Sequence, residues 1–178
     1  VGNGIAHYPV LSPLPSWAEL DPEAVFESVL RAVRSSVVSS GVWPNEIMGL
    51  GLSGALHSFL AVDAQGEALI KAITWADTRS TDCAARIKRE HDSHRLYRRT
   101  GCPVHPIYLP AKIVWLRENA PEIFRKAHKF VSIKEYVLHK LTGKFVVDRS
   151  VASGAGLLNI YELDWDEEVL EIVGITPE

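Results

Sequence analysis

The stretch Gly49-Leu-Gly-Leu-Ser-Gly-Ala-Leu-His57 fits three chemistries, and the choice among them decides the fold. Gly49, Gly51 and Gly54 match the G-x-G-x-x-G spacing of a dinucleotide fold. That motif works only between a strand and a helix, because the helix N-terminus holds the pyrophosphate. Here the residues after His57, Ser58-Phe-Leu-Ala-Val-Asp63, run directly into a glycine-containing turn and leave no room for a helix. Gly51-Leu-Ser53-Gly-Ala55 comes close to the nucleophile elbow of serine hydrolases. Asp77 or Asp82 followed by His105 gives the acid and histidine in the right order. The elbow also needs a helix after its serine, and Ala55 is larger than the glycine usual there. The third reading is a turn at the end of a strand that presents His57 and backbone groups to a small polar substrate. Taken alone, His57 in such a turn is a structural hydrogen-bonder.

Outward from this stretch, the chain has the composition of one soluble domain, with 178 residues, 47% hydrophobic and 23% charged. A net charge of −3 gives no reason to expect nucleic acid or an anionic membrane as partner. The basic cluster from Arg86 to Arg99 is broken by Glu90 and Asp92 and reads as a solvated helix face. No apolar run approaches the roughly 20 residues needed to span a bilayer. Cys83 and Cys102 form no metal-ligand motif, and unpaired thiols suit a reducing cytoplasm. No tightly bound metal is expected.

Pro13, Pro15 and Trp17 form a stiff loop before Asp21-Pro22-Glu23, a helix start with Asp as N-cap and Pro at the first helical position. Val25, Phe26, Val29, Leu30 and Val33 then share one helical face, and Gly41 ends the helix. Ile5–Val10 and the apolar run Ile47–Ser53 read as strands, the second one buried. Phe59–Asp63 and Leu69–Trp75, joined through Ala64-Gln-Gly66, read as a hairpin. A polar helix is expected after Asp77, then helices over Pro110–Glu118, Lys134–Leu141 and Asp164–Val173. Strands are expected at Phe130–Ile133 and Phe145–Val147, and a small-residue strand or loop at Ser150–Gly156. Mixed strands and helices of this kind indicate an α/β fold.

Blocks in register then narrow the reading. Trp17-Ala-Glu-Leu-Asp-Pro22, Gly51–His57, Ile73-Thr-Trp-Ala-Asp-Thr-Arg79, Thr100-Gly-Cys-Pro103 and Lys112-Ile-Val-Trp-Leu116 together resemble the FGGY family of carbohydrate kinases. Val104-His-Pro106, Lys129–Tyr136 and Phe145–Ser153 look most like its gluconokinase branch. The resemblance implies an actin-like (ribonuclease H-like) ATPase domain spanning residues 1–178, incomplete at its N-terminus. It further implies that the opening strand and phosphate loop precede Val1, that the catalytic aspartate lies beyond Glu178, and that a C-terminal domain binds MgATP. With the central strand missing, either the sheet is completed by another chain or by rearranged pairing, or Ile47–Ser53 is left with an exposed edge.

The implied reaction is transfer of the ATP γ-phosphoryl group to a sugar or sugar acid, gluconate first. A xylulose-type kinase and a non-catalytic sugar-binding domain are the alternatives. ATP and Mg²⁺ belong to the full-length kinase, and neither is expected to bind this chain tightly. The partner is a small sugar or sugar acid, and a homodimer is left open. By resemblance, Leu56 and His57 face substrate, and Trp75 either packs on its carbon chain or belongs to the core. Asp77 binds hydroxyls or caps a helix, with Arg79 as its ion-pair partner. His105 and Tyr108 complete the set, although His105-Pro-Ile-Tyr-Leu-Pro110 departs from the usual His-Pro-Met gluconokinase pattern. Lys112, Trp115, Lys134 and Glu135 are expected to be structural, with Asp148 near the cleft.

Overall fold

A computed structural model describes residues 1–177. In chain order the elements are β1 (Glu19–Leu20), α1 (Pro22–Ser40), β2 (Leu60–Val62), β3 (Ala72–Ile73), α2 (Thr81–Glu90), α3 (Ser93–Thr100) and α4 (Leu109–Asn119). They continue with α5 (Pro121–Lys126), β4 (Lys129–Val131), α6 (Ile133–Thr142), α7 (Arg149–Gly154), β5 (Leu158–Asn159), β6 (Asp164–Trp165) and α8 (Glu167–Val173).

The start of α1 follows from its sequence. Asp21 Oδ1 accepts the otherwise orphaned N–H groups of Glu23 and Ala24, at 3.1 and 3.4 Å, and Pro22 supplies a residue that needs no such partner. Gly41 closes the helix at φ 68°, a left-handed backbone that only glycine adopts freely. The Asp21 cap is worth about 1 kcal/mol.

Antiparallel pairs form the sheet. β1 lies against β3 with Glu19 opposite Ile73, and β2 lies against β4 with Leu60 opposite Val131. A bridge from Phe59 to Ile73 joins the two pairs, one from Val62 to Ala68 closes the hairpin after β2, and Leu11 bridges to Glu19 at the outer edge. The expected hairpin is present, turning where Asp63 Oδ1 accepts the N–H groups of Gln65 and Glu67, both at 2.9 Å. Alternation along residues 59–62 sends side chains to both faces. Phe59 and Ala61 pack with Ile87, Leu96, Ile113 and Val173 from α2, α3, α4 and α8. Leu60 and Val62 pack on the other face with Val25 of α1 and with Ile133, Tyr136 and Val137 of α6. The sheet is therefore buried on both sides.

Several expected elements differ. Ile47–Ser53 is not a buried strand: it has no ladder partner among the described residues, and Met48 and Leu50 are 97% and 62% exposed. An apolar run becomes a strand only when a neighbour takes its N–H and C=O groups, and the described chain places none beside it. Ile5–Val10 likewise forms no strand. The N-terminal segment runs along α1, where the Ser36 and Ser39 hydroxyls donate to the carbonyls of Gly2 and Asn3, at 3.1 and 3.0 Å.

Phe145–Val147 is also irregular, with Val146 and Val147 exposed. The basic segment after Asp77 forms two helices, because Asp92 caps a new one, its Oδ1 accepting from the N–H groups of His94 and Arg95. The C-terminal helix starts at Glu167, since Asp164 and Trp165 are taken up in β6. Residues 149–154 form a short helix capped by Asp148.

Candidate functional site

Two hollows of about 340 and 280 Å³ meet at the turn between residues 52 and 58. Leu56 and Ser58 line both. The larger hollow adds Tyr8, Val10, Ser53, Trp75 and Lys134, and the smaller adds His57, Phe130, Glu135, Phe145 and Trp165.

His57 stands at this junction with φ 65°, the left-handed backbone that non-glycine residues seldom take and that histidine, asparagine and aspartate tolerate best. The imidazole meets the Tyr108 ring edge to face, with centroids 4.9 Å apart. Burial, reinforced by the nearby Lys112 charge, holds its pKa below the ordinary value of 6.5, against an opposing pull from the Gly154 backbone. The ring is thus neutral at neutral pH, with one nitrogen able to donate and the other to accept. Burial also pushes the Tyr108 phenol up, so its proton stays in place.

Trp75 is 59% exposed, lies two residues beyond the end of β3 and lines the larger hollow. It is not a core residue. Leu56 is exposed and packs toward Gly154 of α7.

Asp77 and His105 point elsewhere. Asp77 is 2% exposed, and its carboxylate accepts from Ala18 N at 2.7 Å and from Arg79 Nε and an Arg79 terminal nitrogen at 2.9 and 2.7 Å. Arg79 also donates to Glu19 at 2.7 Å, and its guanidinium lies 3.5 Å over the Trp17 ring and 5.0 Å from that of Trp115. Paired, bidentate and stacked, these groups form a closed cluster rather than an open ligand surface. His105 is exposed, and its Nδ1 accepts from Ile107 N at 3.2 Å, which shapes the turn leading to Tyr108.

Lys112 carries more of the site than its expected structural role suggested. Its side chain is 0% exposed on α4, and its ammonium donates to the carbonyls of His57 and Thr74. A lysine inside the apolar run Leu109–Leu116 was the available signal, because such a charge is almost never buried without partners. Asp148 caps α7 and pairs with Lys134. Asp63 is occupied by its turn.

No group of three or more His, Cys, Asp or Glu side chains among the described residues is arranged to hold a metal ion. Asp63, Asp77 and Asp148 are each engaged in local structure. The indole of Trp75 lines the larger hollow and the imidazole of His57 the smaller, with Tyr108 reaching the site through its edge-to-face contact with His57.

Comparison with known proteins gives the following likenesses. Residues 1–178 match the model described as the FGGY family of carbohydrate kinases, N-terminal domain. The chain is 40% identical over 171 residues to the gluconokinase of Bacillus subtilis (strain 168), covering 96% of this chain and 33% of that protein. The chain therefore spans about a third of the length of the curated relatives it matches. Its fold superimposes on gluconate kinase from Lactobacillus acidophilus with a TM-score of 0.89 at 33% identity, over 96% of this chain and 34% of the other. Xylulose kinase from the same organism gives a TM-score of 0.87, also at 33% identity, over 95% of this chain and 34% of the other.

Proposed function

The chain belongs to the FGGY family of carbohydrate kinases, and from that premise we propose that it is the sugar-binding part of an ATP-dependent kinase whose substrate is gluconate. The observation that carries the reading is a pair of adjoining hollows that share Leu56, one lined by Trp75 and the other by His57 in contact with Tyr108, on a chain 40% identical to a gluconokinase. The indole face suits the C–H side of a polyol, and the neutral imidazole suits its hydroxyls. Phosphoryl transfer also needs a carboxylate base and a magnesium-bound nucleotide. We assign both to the remainder of a longer protein, so that residues 1–178 position the sugar and the second domain brings MgATP. Asp77 and His105 enter this reading as residues that hold Trp75 and Tyr108 in place.

The match to a xylulose kinase at the same identity supports a second substrate within the same chemistry. One assay addresses both: the whole protein is given MgATP with D-gluconate or D-xylulose, and the phosphorylated product and ADP are measured. We expect 6-phosphogluconate, formed at a rate within the roughly 1–100 s⁻¹ usual for kinases. Residues 1–178 alone should form none. Faster turnover of xylulose would replace the substrate, and turnover by residues 1–178 alone would place the base among carboxylates that are engaged here.

A further inference from the structure

We propose that Lys112 is a positioning residue that fixes His57 and Trp75 relative to each other, an inference that rests on the sugar-binding reading above. Its ammonium donates to the carbonyl of His57 and, at 2.9 Å, to that of Thr74. The first carbonyl belongs to the peptide leaving His57, and the second to the peptide entering Trp75. One side chain on α4 therefore holds the backbone beside both groups assigned to the sugar.

The pinning matters because the segment leading into the turn holds itself poorly. Residues 47–56 have no ladder partner among the described residues, and His57 sits in a left-handed backbone that is costly for a residue with a side chain. The Thr74 carbonyl also accepts from Asp77 N at 3.3 Å, which ties the same point to the Asp77–Arg79 cluster.

The lysine is unusual in itself. It is 0% exposed, and among the described residues no carboxylate forms a salt bridge with it. Burial is the main influence on it and lowers its pKa to about 8; the Asp77 charge favours the ammonium and the Arg79 charge opposes it. A buried cation held by backbone carbonyls gives stability weakly but fixes geometry well.

The test uses the whole protein and three variants. Lys112→Met removes the donors, Lys112→Arg keeps donors on a similar stem, and Val173→Ala, in the core of α8, loses stability away from the site. For Lys112→Met we expect KM for the sugar to rise about tenfold, with KM for MgATP unchanged within twofold. Lys112→Arg should recover at least half of that loss. Val173→Ala should leave both constants unchanged at a comparable loss of melting temperature. A Lys112→Met enzyme whose sugar KM stays within twofold of wild type, or whose two KM values rise together, overturns the proposal.

If the wild-type protein turns over none of the sugars tried, the functional reading fails, and the staple is then judged by hydrogen exchange. Faster exchange confined to residues 55–58 and 74–77 in Lys112→Met, absent in Val173→Ala, upholds it. Unchanged exchange there sinks it. Should Lys112→Met not fold, the same measurements on Lys112→Arg decide, with sugar KM and local exchange near wild type expected and a more than tenfold rise in sugar KM against the proposal.

Discussion

A neutral imidazole at position 57 has a consequence that acid should expose. Its folded pKa lies below 6.5, so the folded state binds fewer protons than the unfolded chain as pH falls. His57 therefore adds stability that is complete above about pH 6.5 and is lost on acidification below it. Sugar kcat/KM should fall over the same acidic limb. For His57→Ala in the whole kinase we expect kcat/KM for the sugar to fall by up to roughly tenfold, the equivalent of one hydrogen bond to a neutral hydroxyl at about 0.5–1.5 kcal/mol. His57→Asn provides the control, since asparagine accepts the left-handed backbone and isolates the loss of the ring. If both variants keep wild-type kinetics while melting earlier, His57 is a structural residue.

Among the elements, the junction of α3, β5 and α8 depends on one carboxylate. Asp166 is 0% exposed and accepts from Arg99 Nε at 2.7 Å, Asn159 Nδ2 at 3.1 Å and Val169 N at 3.1 Å, the last being the cap of α8. Removing it loses a helix cap and strands a buried amide, so Asp166→Ala should cost about 2–4 kcal/mol in urea unfolding. Asp166→Asn, which keeps an acceptor, should cost less; equal losses would show that charge rather than capping matters.

How well such elements can be read from sequence depends on where their partners lie. Asp21-Pro22-Glu23 and the turn at Asp63–Gly66 were legible because their hydrogen bonds close within four residues. Ile47–Ser53 was misread because its composition shows only that it is apolar, whereas a strand exists through a neighbour. Lys112 was underrated for the same reason, since its acceptors lie 38 and 55 positions away. His57 and Tyr108 were placed in one site by resemblance, and their edge-to-face contact became visible only in three dimensions.

For the whole molecule, the unladdered segment is the weak point. Its backbone opens without breaking a sheet, and Met48, Leu50 and Ile47 are exposed apolar residues. Thermolysin under native conditions should cut residues 1–178 first between positions 47 and 52, well before the 59–62 strand. A first cut elsewhere would mean that this segment is covered in solution. The rest of the chain is held by a pairing of a different kind. Leu60 finds its partner at Val131, 71 positions later, with four helices intervening. A ribosome adding about 5–20 residues per second needs roughly 4–14 s to cover that distance. Through that interval the most deeply buried strand of the sheet has only its hairpin partner, and its other edge is open. The nascent chain thus passes through a period when chaperone capture competes with folding, and slower translation between codons 63 and 128 should lengthen it.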